Sequence, residues 1–319
     1  MMKRRQFIRG SAIVGATVAG GGILVSNSGL LSAQGSRTVH RILNADRTKV
    51  GTLPILRAFA GDHQDYVSPY VLFDEFGPVD LRPGAAPLRV NAHPHAGVIP
   101  TTYFLSGSGH HRDSLNFDFQ VGKGEFMMFS SGRGAIHMEE TGQMLFDDGG
   151  KYHGFQIWLN MPAAHKFIAP STWVFKKELN KIEKKDFTAT VVLGELFGAK
   201  SNIDLLSPAF YYHLKLHPGC RLDIPTDPTH NAFVYAIDGA VELENHKALK
   251  TNQIALFDRG ESLMNLYSAA HSELLVLGGA PLDEPVFSYG PFVMNTEDQI
   301  RKCIDDYNNG RMGDPDQVN

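Results

Sequence analysis

The chain has 319 residues, 43% hydrophobic and 20% charged, with a formal net charge of −4 and two cysteines. That length favours two domains, and the apolar share excludes a wholly disordered chain. Two cysteines exclude a disulfide-built scaffold or a four-cysteine zinc module, and the mildly acidic balance excludes a general nucleic-acid binder, which needs a basic field.

Residues 1–33 hold Lys3, Arg4, Arg5 and Arg9 and no acidic residue, followed by a glycine-interrupted apolar run from Ser11 to Gly20 and small residues near Ser32 and Ala33. A charged start, a modest apolar middle and a small-residue end mark a secretory leader, which is set aside from the fold. Lys3-Arg4-Arg5-Gln6-Phe7-Ile8-Arg9 resembles the twin-arginine export motif, paired arginines followed by large apolar residues. The expectation is a twin-arginine signal peptide over 1–33, engagement of the twin-arginine translocation machinery, and a periplasmic or otherwise exported product. The competing reading is an uncleaved anchor, but the run is weakly apolar and poorly suited to a stable span of ~20 residues. No later segment is long and apolar enough to span, so the mature form is expected to have no stable membrane span. Without the leader's four basic residues the net charge of −4 becomes −8.

From about residue 40, short runs rich in Val, Ile, Phe and Tyr are cut by Gly, Pro, Asn and Asp. They predict strands over 70–76, 101–105, 125–129, 155–160, 189–196, 210–216, 232–237, 254–257 and 273–277. Many short strands at near-regular spacing predict an all-β sandwich or barrel. A faint repeat matches Thr102-Tyr103-Phe104-Leu105-Ser106-Gly107 with Val234-Tyr235-Ala236-Ile237-Asp238-Gly239, each an aromatic-bearing strand turning at glycine. The lysine run Lys176, Lys177, Lys181, Lys184 and Lys185, interleaved with Glu178, Glu183 and Asp186, reads as a solvated linker between two β-units. The domains are therefore placed at 40–166 and 167–290, with a helical tail over 291–319. In that tail Thr296 and Gln299 form a capping box, Ile300, Cys303, Ile304 and Tyr307 recur at helical spacing, and Gly310 supplies the stop. Cys303 then lies on the buried face. A disulfide to Cys220 is one possibility; two unpaired cysteines is the preferred reading.

Chemistry concentrates in the 14 histidines. In His93-Pro94-His95, side chains two apart on an extended chain point to one face, and proline keeps its neighbours extended. His137-Met138-Glu139 repeats the arrangement downstream. Facing each other across a small barrel, the two pairs would converge three imidazoles and one carboxylate, a ligand set for a divalent first-row metal. His213, His217 and His230 in the second unit repeat neither spacing and read as structural. Taken alone, each pair is also compatible with surface or core histidines.

These residues carry a family resemblance. His93-Pro94-His95 through Gly107, His111-Arg112-Asp113-Ser114, Gly132-Arg133-Gly134-Ala135-Ile136-His137 and Glu139 resemble the pirin family, two-domain members of the cupin superfamily. His153-Gly154-Phe155-Gln156-Ile157-Trp158 and the C-terminal Gly278-Gly279-Ala280-Pro281 and Tyr289-Gly290-Pro291-Phe292 extend the match over nearly all of the mature chain. The resemblance implies an all-β bicupin, with two double-stranded β-helix or jelly-roll barrels, a metal in the N-terminal one and a degenerate, metal-free C-terminal one. It places the ligands on His93, His95, His137 and Glu139. Pirins commonly read His-Pro-His-Arg-Gly-Phe-Glu-Thr, and here Ala96 and Ile99 replace the arginine and the glutamate. A substrate or regulatory contact made through those charges is thereby put in doubt.

Three imidazoles and a carboxylate leave open positions, which suits Fe above Mn, Co or Ni, and Zn or Cu less well. Some pirins are similar to quercetin dioxygenases, which implies a flavonol- or catechol-like aromatic substrate and dioxygen, with Glu139 as ligand and base. His111, Arg112 and Asp113 are candidates to orient a ligand imidazole. Trp158, with Phe104, Met127 and Phe129, is a candidate to shape the pocket, although ordinary strand-core packing is the preferred reading for these four. The alternative implied by other pirins is a non-catalytic redox sensor or protein-interaction module.

Overall fold

The computed structural model describes residues 35–60, 67–176 and 179–319. The expected signal peptide and its arginine motif lie outside the described residues, as do Lys177 and Glu178 of the lysine run. Among the described residues no helix is long and apolar enough to cross a membrane.

Each half of the chain closes a seven-stranded sheet over a four-stranded one. In the first barrel the large sheet runs Ser171–Phe175, Phe126–Ser130, Val98–Ser106, Gly150–Asn160, Tyr70–Leu81, Leu53–Ala60, Asp46–Val50. Its small sheet runs Arg89–His95, Ala135–Thr141, Ser108–Asp113, Asp118–Gly122. The second barrel repeats both orders. Its large sheet runs Val39–Asn44, Gln253–Phe257, Asn231–Asp238, Ser272–Gly279, Ala209–Leu216, Phe187–Leu193, Asn180–Glu183, and its small sheet Cys220–Pro225, Leu263–Ser268, Ala240–Glu242, Ala248–Lys250. This is the all-β two-barrel architecture expected. The repeat is visible as geometry: Tyr103 and Glu75 both pair with Phe155, while Tyr235 and His213 both pair with Leu275. The glycines that end the two repeat strands, Gly107 and Gly239, both have φ of 75°, a left-handed turn that favours glycine.

The domain limits need refining at both ends, because the barrels exchange a strand. Val39–Asn44 precedes the first barrel yet pairs with Gln253–Phe257 of the second. Ser171–Phe175 follows the first barrel's last predicted strand and pairs with Phe126–Ser130 of that same barrel. The lysine-rich stretch is accordingly not a linker throughout. Lys181 sits in an edge strand, Asn180–Glu183, whose Ile182 is buried while its charged neighbours stay in water. Alternation within so short a strand is masked by lysine and glutamate when read as composition alone.

Central strands such as Val98–Ser106 are buried on both faces. One face looks into the barrel. The other packs on the second barrel's large sheet, where Phe73, Tyr103 and Phe155 join Tyr211, Phe233, Tyr235 and Leu277 in one apolar cluster. The helix Glu297–Asn308 begins as expected, with the Thr296 hydroxyl accepting from the Gln299 amide at 3.2 Å. Its buried Ile300 and Cys303 close over Ile136, Met138 and Ala96 on the outside of the first barrel's small sheet. The tail thus covers the sheet that bears the histidine pairs. Cys220 and Cys303 are both buried and unpaired.

Candidate metal centre

Proline can donate no ladder hydrogen bond, so His93-Pro94-His95 belongs on an edge strand, and Arg89–His95 is the edge of its four-stranded sheet. Across the first ladder His137 is paired with His93, and Ala135 with His95. The intervening Ile136 and Met138 point outward under the tail helix, which fixes the inward set as His137 and Glu139. On the other side of the same strand, Glu139 is paired with His111. After His95 the chain turns at Gly97, with φ of 74°, where an added Cβ would stand 2.1 Å from the Val293 carbonyl oxygen.

The three ring nitrogens converge. His93 Nε2 lies 3.0 Å from His95 Nε2 and 3.1 Å from His137 Nε2. His93 Nδ1 donates to the Asn91 carbonyl at 2.8 Å, which leaves Nε2 of His93 as a lone pair. Burial lowers the pKa of all three rings, most strongly at His95 and His137, where the neighbouring imidazoles add to it. Neutral rings with lone pairs gathered at one point are what a cation needs. Nitrogens at right angles around an ion, each ~2.1 Å from it, would be ~3.0 Å apart, whereas tetrahedral ones would be ~3.4 Å apart. The donor set therefore fits a divalent ion with open positions better than a closed structural zinc.

Glu139 is close by and separately held. Thr102 Oγ1 donates to its Oε1 at 3.2 Å and Gln156 Nε2 to its Oε2 at 2.8 Å. Thr102 and Gln156 are paired across neighbouring strands of the large sheet, and Asp74 and Arg57 continue the row. Arg57 grips Asp74 through two bonds, of 2.8 and 2.7 Å. Burial raises the Asp74 pKa despite that pair, and the bond to Asp74 raises that of Arg57. None of Thr102, Gln156, Asp74 and Arg57 was legible as a site residue, because their meeting depends on register between distant strands. The one local signal is the polar Gln156 two residues before Trp158 on a strand otherwise rich in apolar residues.

These walls enclose a cavity of about 520 Å³, within the range of about 300–1,000 Å³ that takes small organic ligands. Phe104 and Met127, which also pack in an apolar core cluster, and Trp158 line it. Trp158 stands edge-on to His95 at 4.7 Å between ring centres. Phe129 lies behind the site and stacks on His137 at 4.6 Å. His111 faces the cavity, and Asp113 sits behind it, its Oδ2 3.0 Å from His111 Nε2. Burial raises the Asp113 pKa, but bonds from His111, Thr172 and the Phe117 amide outweigh it and hold the carboxyl below its ordinary range. Arg112 is different. It alternates to the outer face, with its guanidinium 3.7 Å from Glu140, and takes no part in the cavity.

Ala96 and Ile99 also find their places. Ala96 is fully buried beneath the tail helix, and Ile99 packs in the interface between the barrels, on the face of its strand opposite Thr102. A carboxylate at position 99 would not face the cavity, so its replacement takes no group from the site. The turn is anchored instead by Lys166, whose ammonium donates to the carbonyls of Gly97 at 2.9 Å and Val293 at 2.8 Å and to the Asn160 side chain. Burial pushes its pKa down to about 7 against the opposing charge of Glu284.

Residues 52–159 match the pirin family, and residues 211–313 match the pirin C-terminal cupin domain. The chain belongs to the pirin family. It is 31% identical over 253 residues to human pirin, covering 77% of this chain and 83% of that protein. To a pirin-like protein of Caulobacter vibrioides it is 31% identical over 279 residues, covering 86% and 95%. Its fold superposes on a crystal structure of quercetin 2,3-dioxygenase from Acinetobacter baumannii with a TM-score of 0.85 and 26% identity, covering 88% of this chain and all of the other.

Proposed function

We propose that this pirin is a metal-dependent dioxygenase of the quercetinase type, acting on a flavonol- or catechol-like aromatic. The observation that carries the reading is the convergence of three imidazole nitrogens, those of buried His95 and His137 and half-buried His93, 3.0 and 3.1 Å from the His93 nitrogen, in the wall of a largely apolar cavity. The likeness to the Acinetobacter enzyme supports it. A divalent first-row ion bound there, Fe being best suited, supplies open positions for a chelating substrate and for dioxygen.

The chain's own residues divide the remaining work. His93, His95 and His137 hold the ion, and Glu139 joins them or takes the proton of the substrate hydroxyl. Thr102 and Gln156 fix where that carboxylate stands. Phe104, Met127 and Trp158 bound the space for an aromatic ring and exclude water. The test is oxygen uptake by the purified protein, its metal identified, with a panel of flavonols and catechols. Uptake abolished by His95→Ala is expected. Full metal occupancy with no uptake across the panel would favour the redox sensor or interaction module instead.

Export by the twin-arginine route belongs to the same reading, supported by Lys3 to Arg9 in the sequence. Folding before translocation would let Fe or Mn be captured ahead of Cu and Zn, which bind most nitrogen and oxygen sites more tightly. Exchange of the leader for one that exports unfolded chains is expected to change the bound metal. Unchanged metal content would count against this reading.

A further inference from the structure

A second group of donors lies on the other side of His137. His111, His137 and Glu139 each bring a ligand atom within 4.8 Å of the other two. They meet because the Ala135–Thr141 strand is shared: Glu139 is paired with His111 across one edge as His137 is paired with His93 across the other. Two imidazoles and one carboxylate form the facial set by which non-haem iron oxygenases hold an ion with open positions.

His111 is the best prepared donor of the four rings. The carboxylate of Asp113, 3.0 Å from His111 Nε2, also accepts from Thr172 Oγ1 at 2.5 Å and from the amides of Leu115 and Phe117 at 2.9 and 3.1 Å. An ionised carboxylate can only accept, so the ring proton sits on Nε2 and the lone pair on Nδ1. That Nδ1 is buried without a hydrogen-bond partner, on a residue only 2% exposed. Phe119 stacks on the ring at 5.0 Å and keeps it in place. A carboxylate behind an imidazole fixes its tautomer and makes the free nitrogen a stronger donor. His93 has only the Asn91 carbonyl for this purpose and His95 only the Pro291 carbonyl, while Nδ1 of His137 has no hydrogen-bond partner.

We propose that His111 is a fifth metal donor, and that His111, His137 and Glu139 form a second seat for a divalent ion, overlapping the three-histidine seat at His137. Because both seats draw on His137, one ion occupies one or the other. The donors sort the ions. Three neutral imidazoles suit Fe(II) and Ni(II), and the seat containing a carboxylate suits the harder Mn(II). The proposal concerns where the ion sits and does not require turnover, so it stands or falls apart from the dioxygenase reading.

The experiment titrates Mn(II) and Ni(II) separately into protein stripped of metal by a chelator, with circular dichroism as the check on folding. His111→Ala is expected to weaken Mn(II) binding by about 10–100-fold, the usual effect of losing a donor or its support, and to leave Ni(II) binding nearly unchanged. The double variant H93A/H95A is expected to retain saturable Mn(II) binding at one equivalent, and H93A/H95A/H111A to lose it. His111→Gln, closer in volume, repeats the measurement if the alanine variant does not fold. Unchanged Mn(II) affinity in a folded His111 variant, or no saturable Mn(II) binding in folded H93A/H95A, would overturn the proposal.

Discussion

In the first barrel His93 faces His137 across neighbouring strands of the small sheet; in the second, the corresponding strands set Leu222 against Leu266 and Ile224 against Met264. Those four apolar side chains are buried in a filled core with Val234, Leu249 and Val276. The same strand order therefore supports either a packed interior or a chemical site, and the choice is made by side chains at inward positions of one small sheet. The first barrel gives up apolar contact for its donors. It recovers support from the tail helix outside the small sheet and from the apolar interface behind the large one.

A second comparison runs across that interface. Tyr235 of the second barrel donates to Glu75 of the first, which also accepts from His153 at 2.6 Å. At the matching place Tyr103 of the first barrel donates to His213 of the second at 3.1 Å, and His213 donates to Glu273 at 2.7 Å. Glutamate and histidine have exchanged positions, yet each tyrosine still ties its own barrel to the other. What the repeat preserves here is the satisfaction of buried polar groups, by a different order of donors and acceptors.

The sharpest way to break the comparison is to remove a donor from one barrel and a packing residue from the other. His137→Ala should abolish stoichiometric binding of the metal and oxygen uptake with it. Leu266→Ala should leave both intact per folded molecule, and should cost about 2–5 kcal/mol in urea unfolding by opening a cavity in the filled core. Stability loss at Leu266 with concurrent loss of metal would deny the separation of roles. Smaller effects are expected at the interface. Tyr103→Phe and Tyr235→Phe should each cost about 1–3 kcal/mol, because each leaves a buried acceptor unpaired, and the double variant should show near-additive losses if the two triads act independently.

The smallest expected effect depends on pH. Glu273 is raised by burial but lowered more by the bond from His213 and by Lys215, to about 2 from 4.5. A carboxyl depressed in the folded state contributes stability that is present above about 4.5 and lost as pH falls toward 2. With its side chain 27% exposed, the contribution is on the order of 1–2 kcal/mol. Urea midpoints for Glu273→Gln should therefore fall less steeply than wild type between those pH values, and parallel profiles would contradict the assignment.

How much of this was legible follows from what is local. His93, His95, His137 and Glu139 could be found because spacing by two on extended chain is a property of adjacent residues. The tail helix could be found because its cap and apolar period are local as well. The strands of the small sheet, Arg89–His95, Ser108–Asp113 and Ala135–Thr141, were not marked out, since histidine, arginine and aspartate replace the β-branched residues that announce a strand. The exchange of Val39–Asn44 and Ser171–Phe175 between barrels and the row from Arg57 to Thr102 rest on long-range pairing, to which no single-sequence pattern points. Arg112 was grouped with His111 and Asp113 by adjacency, and strand alternation separates them.

The central claim is that one barrel holds the metal and the other is packed shut. Anomalous diffraction from crystals of the protein loaded with a divalent first-row ion tests it directly. The account predicts one peak per chain, inside the first barrel and within bonding distance of His137 together with His93 and His95 or with His111 and Glu139. A principal peak in the second barrel, or one in the first barrel that touches none of these side chains, would contradict it.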